Sequence, residues 1–398
     1  MLHGFYFRFF RMIHCEWIAA ILSHMAYIVF YLKYMAERLT CKKRSVTASK
    51  EDALKMVSGI HQDGYRCPEF NGVEYNPEID LSIIVPVYNY VDLIEKNIIS
   101  ILSQKTQYKY ELILVDDGST DGAQDILHKY ETHPNVNVIF QQNQGIAGAR
   151  NTGLTNAAGR YIMFIDCDDV VEDNLVEILM SRAYKEDCDI VMCAHNLVKE
   201  RDGKVYETLP NIYPKYNMLG YAKNAYILNF AGLPWCKVYK RELWKNVRYL
   251  PGYWFEDTII HSLIFTQCKK FAYEPEVCYQ YRWYESNFSH TQNKSENPKS
   301  IDTYWMLLHI LEQYESLGFP KDERFETMLL KHLSAYYYNK IHGLEDNVVE
   351  ALFILACDLY QKYGIKRNCK LPYMLRVTKK ALEQGDINLW KLATKYQK

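Results

Sequence analysis

The chain lacks the features that would assign it at once to several common classes. Its 47 lysines and arginines face 48 aspartates and glutamates over 398 residues, with the two signs mixed along the sequence. No basic stripe remains to follow a phosphate backbone, so no nucleic-acid partner is expected. The eleven cysteines are odd in number and contain no CxxC pair. That argues against a zinc site or a disulfide framework. Cys167 and Cys193 fall inside apolar runs and read as reduced thiols acting as small apolar residues, which implies a reducing compartment. There is no internal repeat and no low-complexity tract. Nor is there a run of the ~20 apolar residues that a spanning helix needs. The nearest candidate, Trp17 to Leu32, reads WIAAILSHMAYIVFYL, which is short and has a Ser and a His in its interior. No small-residue cleavage site follows it, so it does not read as a signal peptide. Lys33, Arg38, Lys42, Lys43 and Arg44 follow it, against Arg8 and Arg11 before it. If the segment inserts, that bias leaves the rest of the chain on the cytoplasmic side. The reading is an amphipathic docking helix, with membrane association through residues 5–38 as one expectation and a partner protein as the other.

What is present in quantity is tyrosine, 34 residues. A phenol offers flat contact area and a hydroxyl, which suits sugar or nucleotide binding and equally suits ordinary cores. The length suits two or three domains, or one α/β domain with an extension. From about Cys41 to Asp80 the chain is polar, with Gly64, Pro68, Gly72 and Pro77; it reads as a linker with a short helix. Then short β-branched runs recur: LSIIV from Leu81, ELILV from Glu111, VNVIF from Val136, YIMFI from Tyr161 and DIVMC from Asp189. Helical stretches lie between them, and in the first Ile94, Ile98 and Ile101 repeat on one face. Strands alternating with helices predict an α/β fold with a mostly parallel sheet. Such sheets bind ligands at the carboxyl ends of their strands. Beyond Asn293 the chain reads as helical, with Ile301 to Tyr314 and Phe325 to His342 as helices.

Four motifs carry chemistry. Asp166-x-Asp168 directly follows an apolar strand. Two carboxylates there can converge on one hard cation such as Mg²⁺ or Mn²⁺, and no cationic partner is evident nearby in sequence. A lone DxD more often serves turns and helix starts; the strand before this one raises its weight. Asp116-Asp117-Gly118-Ser119-Thr120-Asp121-Gly122 reads partly as a turn, with Ser119, Thr120 or Asp121 capping a helix that runs to Tyr130. Its paired aspartates exceed what capping needs, and a carboxylate there can accept a pyrimidine N–H or a ribose hydroxyl. The segment Gly145 to Gly153 has the wrong spacing for a dinucleotide loop and reads as a small-residue helix carrying Arg150 toward a phosphate. Glu256-Asp257, in WFEDTIIHSLIF, are either first-turn acids favoured by a helix dipole or a catalytic pair at the mouth of a site.

Taken together, IIVPVYNYVDLIEKNIISILSQ, ELILVDDGSTDG, NQGIAGARNTGL, GRYIMFIDCDD and WFEDT resemble, in order and spacing, the inverting glycosyltransferase family 2 with the GT-A fold. This family includes bacterial capsule, exopolysaccharide and cell-wall enzymes. The resemblance runs from about Asp80 to His290. It implies a domain order of an N-terminal segment and linker (1–79), a GT-A domain (80–292) and a helical C-terminal region (293–398). It also implies a nucleotide-sugar donor, more readily UDP than GDP or dTDP, and a glycan or lipid-linked saccharide acceptor. Pro86 and Tyr88 would line the nucleotide pocket, Asp117 would bind the base, and Arg150 would face the same pocket. Asp166 and Asp168 would hold Mg²⁺ or Mn²⁺, with Asp168 the more direct ligand. Asp257 would be the general base with Glu256 beside it, and Trp235 and Lys237 would lie on the acceptor side. Arg282, in YQYRWYES, would meet the diphosphate. Gln280 and Arg282 sit one residue too close for the QxxRW motif of processive synthases, which points to one sugar per encounter. A nucleotidyltransferase would show a glycine-rich basic loop after the first strand, and PVYNYVDL has none. A catalytically inactive relative is disfavoured by the intact DxD and Glu-Asp pair.

Overall fold

The computed structural model describes residues 16–64, 71–201, 204–211, 215–221, 225–283, 295–365 and 369–397. The first part of the 5–38 segment, the boundary near 292 and the chain just after Trp283 lie outside the described residues. Two compact units emerge: Met1–Gln62 with Ser295–Tyr304 and Glu326–Lys398, and Asp63–Lys294 with Trp305–Phe325.

The first unit begins with α1 (Glu16–Thr40) and α2 (Lys50–Ile60), whose N-cap Ser49 accepts the Asp52 amide. In the second unit, β1 (Leu81–Val87) is buried along its whole length. It is followed by α3 (Val91–Leu102), β2 (Tyr110–Asp116), α4 (Ala123–His128), β3 (Val136–Phe140), α5 (Gly145–Asn156), β4 (Tyr161–Phe164), β5 (Val170–Val171), α6 (Leu175–Glu186) and β6 (Ile190–Arg201). Then come β7 (Lys204–Asn211), β8 (Met218–Tyr221), β9 (Lys237–Lys240) and β10 (Lys270–Trp283). The ten strands form one sheet in the order β3-β2-β1-β4-β9-β6-β10-β5, with β7 on β6 and β8 on β10.

The predicted strands from Leu81, Glu111, Val136, Tyr161 and Asp189 are β1, β2, β3, β4 and β6. β3-β2-β1-β4 is a continuous parallel array. β9 enters antiparallel to both β4 and β6, and β10 returns parallel to β6. The alternation of runs and helices produces the parallel array for the expected reason: each helix carries the chain back over a face, so successive strands share a direction and both faces are covered. Ile94, Ile98 and Ile101 of α3 are fully buried against that array. On its other helices the approach is closer still: a Cβ at Gly153 of α5 would collide with Ile84 of β1, so glycine there lets the helix lie against the strand.

The first unit is completed by α7 (Asp302–Ser316), α8 (Glu323–His332), α9 (Ala335–Ile341), α10 (Asp346–Tyr363), α11 (Tyr373–Gln384) and α12 (Ile387–Lys395), of which the first two run partly through the second unit. The helix expected over Phe325 to His342 divides into α8 and α9 at Ser334, whose hydroxyl donates to the Leu330 carbonyl. Trp390 is fully buried and donates its indole N–H to the Leu333 carbonyl at 2.7 Å. Tyr34 of α1 packs edge-on against Tyr396 at 5.3 Å. Among the described residues no helix is long and apolar enough to cross a membrane.

Candidate active site

The carboxyl ends of β1, β2 and β4 bring the first motifs to one rim. Pro86 is buried within β1, opposite Val115 of β2. Tyr88, just beyond the strand, is 46% exposed. Asn89 follows with φ 57°, a left-handed conformation that asparagine tolerates because its short side chain bonds locally. Here Asn89 Oδ1 accepts the Thr120 amide at 2.8 Å.

The two aspartates after β2 divide the work. Asp116 is fully buried and accepts from the amides of Gly118 and Ser119 and from Gln124 Nε2 at 2.7 Å. Its carboxylate therefore closes the turn, which is more than the sequence reading allowed it. Gly118 takes φ 79° in that turn, where a side chain is strained. Asp117 accepts from Gln141 Nε2 and the Gln144 amide, both on Oδ1. Burial pushes its pKa up, while the hydrogen bonds from Gln144 and Gln141 oppose the rise. The following helix is shorter than expected and starts from Gly122 at φ 98°; Asp121 contributes by accepting the Ala123 amide.

Asp166, Cys167, Asp168 and Asp169 form the tight turn after β4. Asn97 of α3 donates to the carbonyls of Asp166 and Asp169 at 3.0 and 2.8 Å. Asp169 is fully buried; it accepts the Tyr279 hydroxyl at 2.5 Å and the Arg282 amide at 2.9 Å. Burial first, and then the charges of Asp168 and Asp166, push its carboxyl well above the usual range. Asp169 is committed to Tyr279 and Arg282, which leaves Asp166 and Asp168 as oxygens of the donor type that Mg²⁺ or Mn²⁺ takes. Among the described residues no group of three or more His, Cys, Asp or Glu could hold a metal, so phosphate and water oxygens would have to complete the shell of an ion on Asp166 and Asp168.

The expectation that no cation lies near the DxD holds only in sequence. In space Arg150, whose side chain is 2% exposed, donates from Nη2 to Asp166 Oδ1 at 2.9 Å and from Nη1 to Glu256 Oε1 at 2.7 Å. Burial disfavours its charge, yet the Asp166 carboxylate, with Tyr249 and Glu256, holds it charged beyond the ordinary arginine range. Glu256 and Asp257 follow Phe255, which sits at φ 67°, and precede a π-helical turn, Ile260–Ile264. An aromatic residue in the left-handed region is an uncommon, costly conformation of the kind that gathers at functional sites. Asp257 acts electrostatically on both Tyr249 and Lys237.

Trp235 and Lys237 flank Cys236, another non-glycine residue with positive φ, 58°. Trp235 stacks on Tyr279 at 5.0 Å and Tyr281 at 5.2 Å, with His195 edge-on at 4.9 Å. Lys237, 6% exposed, donates to the carbonyls of Leu233 and Trp235 at 2.9 and 3.2 Å, and burial lowers its pKa to about 8. Arg282 is placed on Glu200, through Nε at 2.7 Å and Nη2 at 2.6 Å. Sequence reasoning missed Asn97, Tyr279, Tyr249 and Glu200. Asn97 had a signal: it shares the buried face of α3 with Ile94, Ile98 and Ile101, and a polar side chain there needs partners.

The comparisons with known proteins agree with this geometry. The Glycosyl transferase family 2 model matches residues 82–248. EpsJ of Bacillus subtilis, an uncharacterized glycosyltransferase, is 31% identical over 316 residues, spanning 76% of this chain and 82% of its own length. GlyA, a glycosyltransferase of Streptococcus pneumoniae serotype 4, is 29% identical over 265 residues, which is 64% of this chain and 36% of GlyA; the chain thus matches about a third of that relative. TarS 1–349 of S. aureus shares the fold at a TM-score of 0.63 and 18% identity, over 80% of this chain and 91% of that one. The chain belongs to glycosyltransferase family 2, has its GT-A fold, and is a glycosyltransferase.

Proposed function

We propose that the enzyme transfers a sugar, with inversion, from a UDP-sugar to a hydroxyl of a glycan or lipid-linked saccharide in polysaccharide or cell-wall synthesis. The observation that carries this reading is the convergence of strand-end carboxylates from β2 and β4 on one rim, with Arg150 joining Asp166 to the Glu256-Asp257 pair. Support for the donor comes from TarS 1–349, a fold neighbour whose structure was determined in complex with UDP-GlcNAc. EpsJ and GlyA, both named as glycosyltransferases, support the reaction type.

In this reading Tyr88 presents its exposed ring to the uracil, Pro86 shapes the pocket wall, and Asp117 accepts the base N–H. Asp168 and Asp166 would hold Mg²⁺ or Mn²⁺, which offsets charge on the departing nucleoside diphosphate. Arg282 reaches that diphosphate by exchanging Glu200 for phosphate oxygens. Asp257 takes the proton of the acceptor hydroxyl as that oxygen attacks the anomeric carbon from the face opposite the leaving group. The C–O bond to the diphosphate breaks as the glycosidic bond forms, and no enzyme nucleophile intervenes. Trp235, locked in its aromatic stack, forms an acceptor-side wall, and Lys237 braces the turn that carries it. The test is a screen of nucleotide-sugars for divalent-metal-dependent release of the nucleotide. UDP release that needs the metal supports the reading; release from no UDP-sugar overturns the donor assignment.

We infer also that α1 docks on an anionic lipid surface. Met25, Ile28, Val29, Leu32 and Leu39 are exposed on it and fall within one helical stripe. Lys33 is exposed beside them, as are Lys42, Lys43 and Arg44 just after the helix. An apolar stripe with basic flanks suits in-plane binding to anionic headgroups. Co-sedimentation with phosphatidylglycerol vesicles that falls in Leu32→Asp supports this; a concentration-dependent dimer lost in the same variant, without vesicle binding, overturns it.

A further inference from the structure

Arg150 has a place in the site that differs from a nucleotide contact. Its guanidinium is enclosed, 2% exposed, and both terminal nitrogens are committed to carboxylates from distant elements: Asp166 at the end of β4 and Glu256 in the turn before the π-helical segment. Its Cζ lies 5.3 Å from the centroid of Tyr249. Tyr249 is itself fully buried, packed edge-on to Phe164 at 5.6 Å and stacked on Trp244 at 5.5 Å. The next residue along α5, Asn151, exchanges two hydrogen bonds with the backbone of Tyr249, each 2.8 Å. The helix that bears both residues is seated on β1 through Gly153. Guanidinium, ring and helix are therefore fixed as a unit, and the two carboxylates are aligned on that unit.

We propose that Arg150 is a positioning residue that ties the donor-side carboxylate Asp166 to the acid pair Glu256-Asp257. The idea rests on the glycosyltransferase reading above. A guanidinium has a planar fork of donors and stays charged. By taking Glu256 Oε1 at 2.7 Å it fixes the orientation of that side chain. The peptide that follows is thereby oriented, and with it Asp257. Phe255 at φ 67° marks the same turn as held in a conformation that the chain would otherwise leave, so the ion pair has strain to oppose. The same cation takes one oxygen of Asp166, Oδ1, so the strand-end turn and the acid pair are joined through one group that is not itself a donor ligand.

The experiment is a comparison of UDP affinity with turnover at fixed Mn²⁺, using the full chain. Arg150→Met is expected to lower kcat about 10²-fold, the scale of a catalytic group misplaced by roughly 1 Å, while the Kd for UDP changes less than about threefold. Arg150→Lys restores charge but not the two-armed fork, and recovers only part of the loss. Glu256→Gln is expected to lose kcat without loss of UDP affinity, and the double variant with Arg150→Met to be no slower than Arg150→Met alone, because both act through one contact. A UDP Kd that weakens in step with kcat makes Arg150 a nucleotide contact and overturns the proposal, as does full additivity in the double variant. If Arg150→Met does not fold, Glu256→Gln decides: unchanged kcat overturns the proposal. Failure of the wild-type enzyme to bind UDP would instead overturn the donor assignment.

Discussion

The two halves of the sheet hold their carboxylates by different means. In the parallel half, Asp116, Asp117 and Asn89 are fixed mainly by nearby amides in turns two to three residues long or in the adjacent loop. In the mixed half, the groups around Asp257 are fixed by buried charge, an aromatic stack and two non-glycine residues at positive φ, Cys236 and Phe255. The first arrangement rests on neutral amide donors. The second is over-determined by long-range contacts, which is how strained backbone persists. The difference implies that donor binding tolerates change at the Glu256-Asp257 pair, whereas turnover does not.

The largest expected effect falls on the donor half. Asp168→Ala should abolish transfer and weaken Mn²⁺-dependent UDP binding at least about tenfold, with the fold intact by circular dichroism. Full activity in this variant, or in excess EDTA, would remove the metal from the reaction. Next is the seam between α3 and the DxD turn. Asn97→Ala leaves the carbonyls of Asp166 and Asp169 without their donor, and urea unfolding should show a loss of about 1–3 kcal/mol. Unchanged stability would mean that the turn holds itself.

A smaller effect sharpens the picture of the mixed half. Burial lowers the Lys237 pKa from 10.5 to about 8. Between those values the unfolded chain holds the proton and the folded chain sheds it, so this residue makes stability rise with pH across that window. Below about 8 both states are charged and the folded state bears the full cost of the buried ammonium. Lys237→Met should flatten the rise in melting temperature between pH 8 and 10.5; an identical profile would show the ammonium to be solvated. Smallest of all, Leu32→Asp on α1 should leave UDP release unchanged while vesicle binding falls.

Much of the parallel half was legible in sequence because its signals are local. β-branched runs, the Asp-Asp-Gly turn and the DxD after an apolar strand each lie within a few residues. The mixed half was legible only in fragments. WFEDT, Trp235 and Lys237 could be singled out, but Arg150 reaches Glu256 across 106 residues and Tyr279 reaches Asp166 across 113. No periodicity encodes such pairings. Asp116 could not be told from Asp117 in sequence: its turn partners are next to it, but its burial is set by the packed sheet.

In the proposed reaction the acid pair serves chemistry and the strand-end carboxylates serve the donor. Asp257→Asn keeps the size of the side chain and removes its capacity to accept a proton. General-base assistance contributes ~10²–10⁴-fold, so kcat should fall by that order. Titration of the Asp257→Asn enzyme with UDP, set beside its turnover, is the direct test. The expected outcome is a UDP Kd close to that of the wild type and a kcat lower by ~10²–10⁴-fold. A Kd that collapses together with kcat, or a kcat that does not fall, would contradict it.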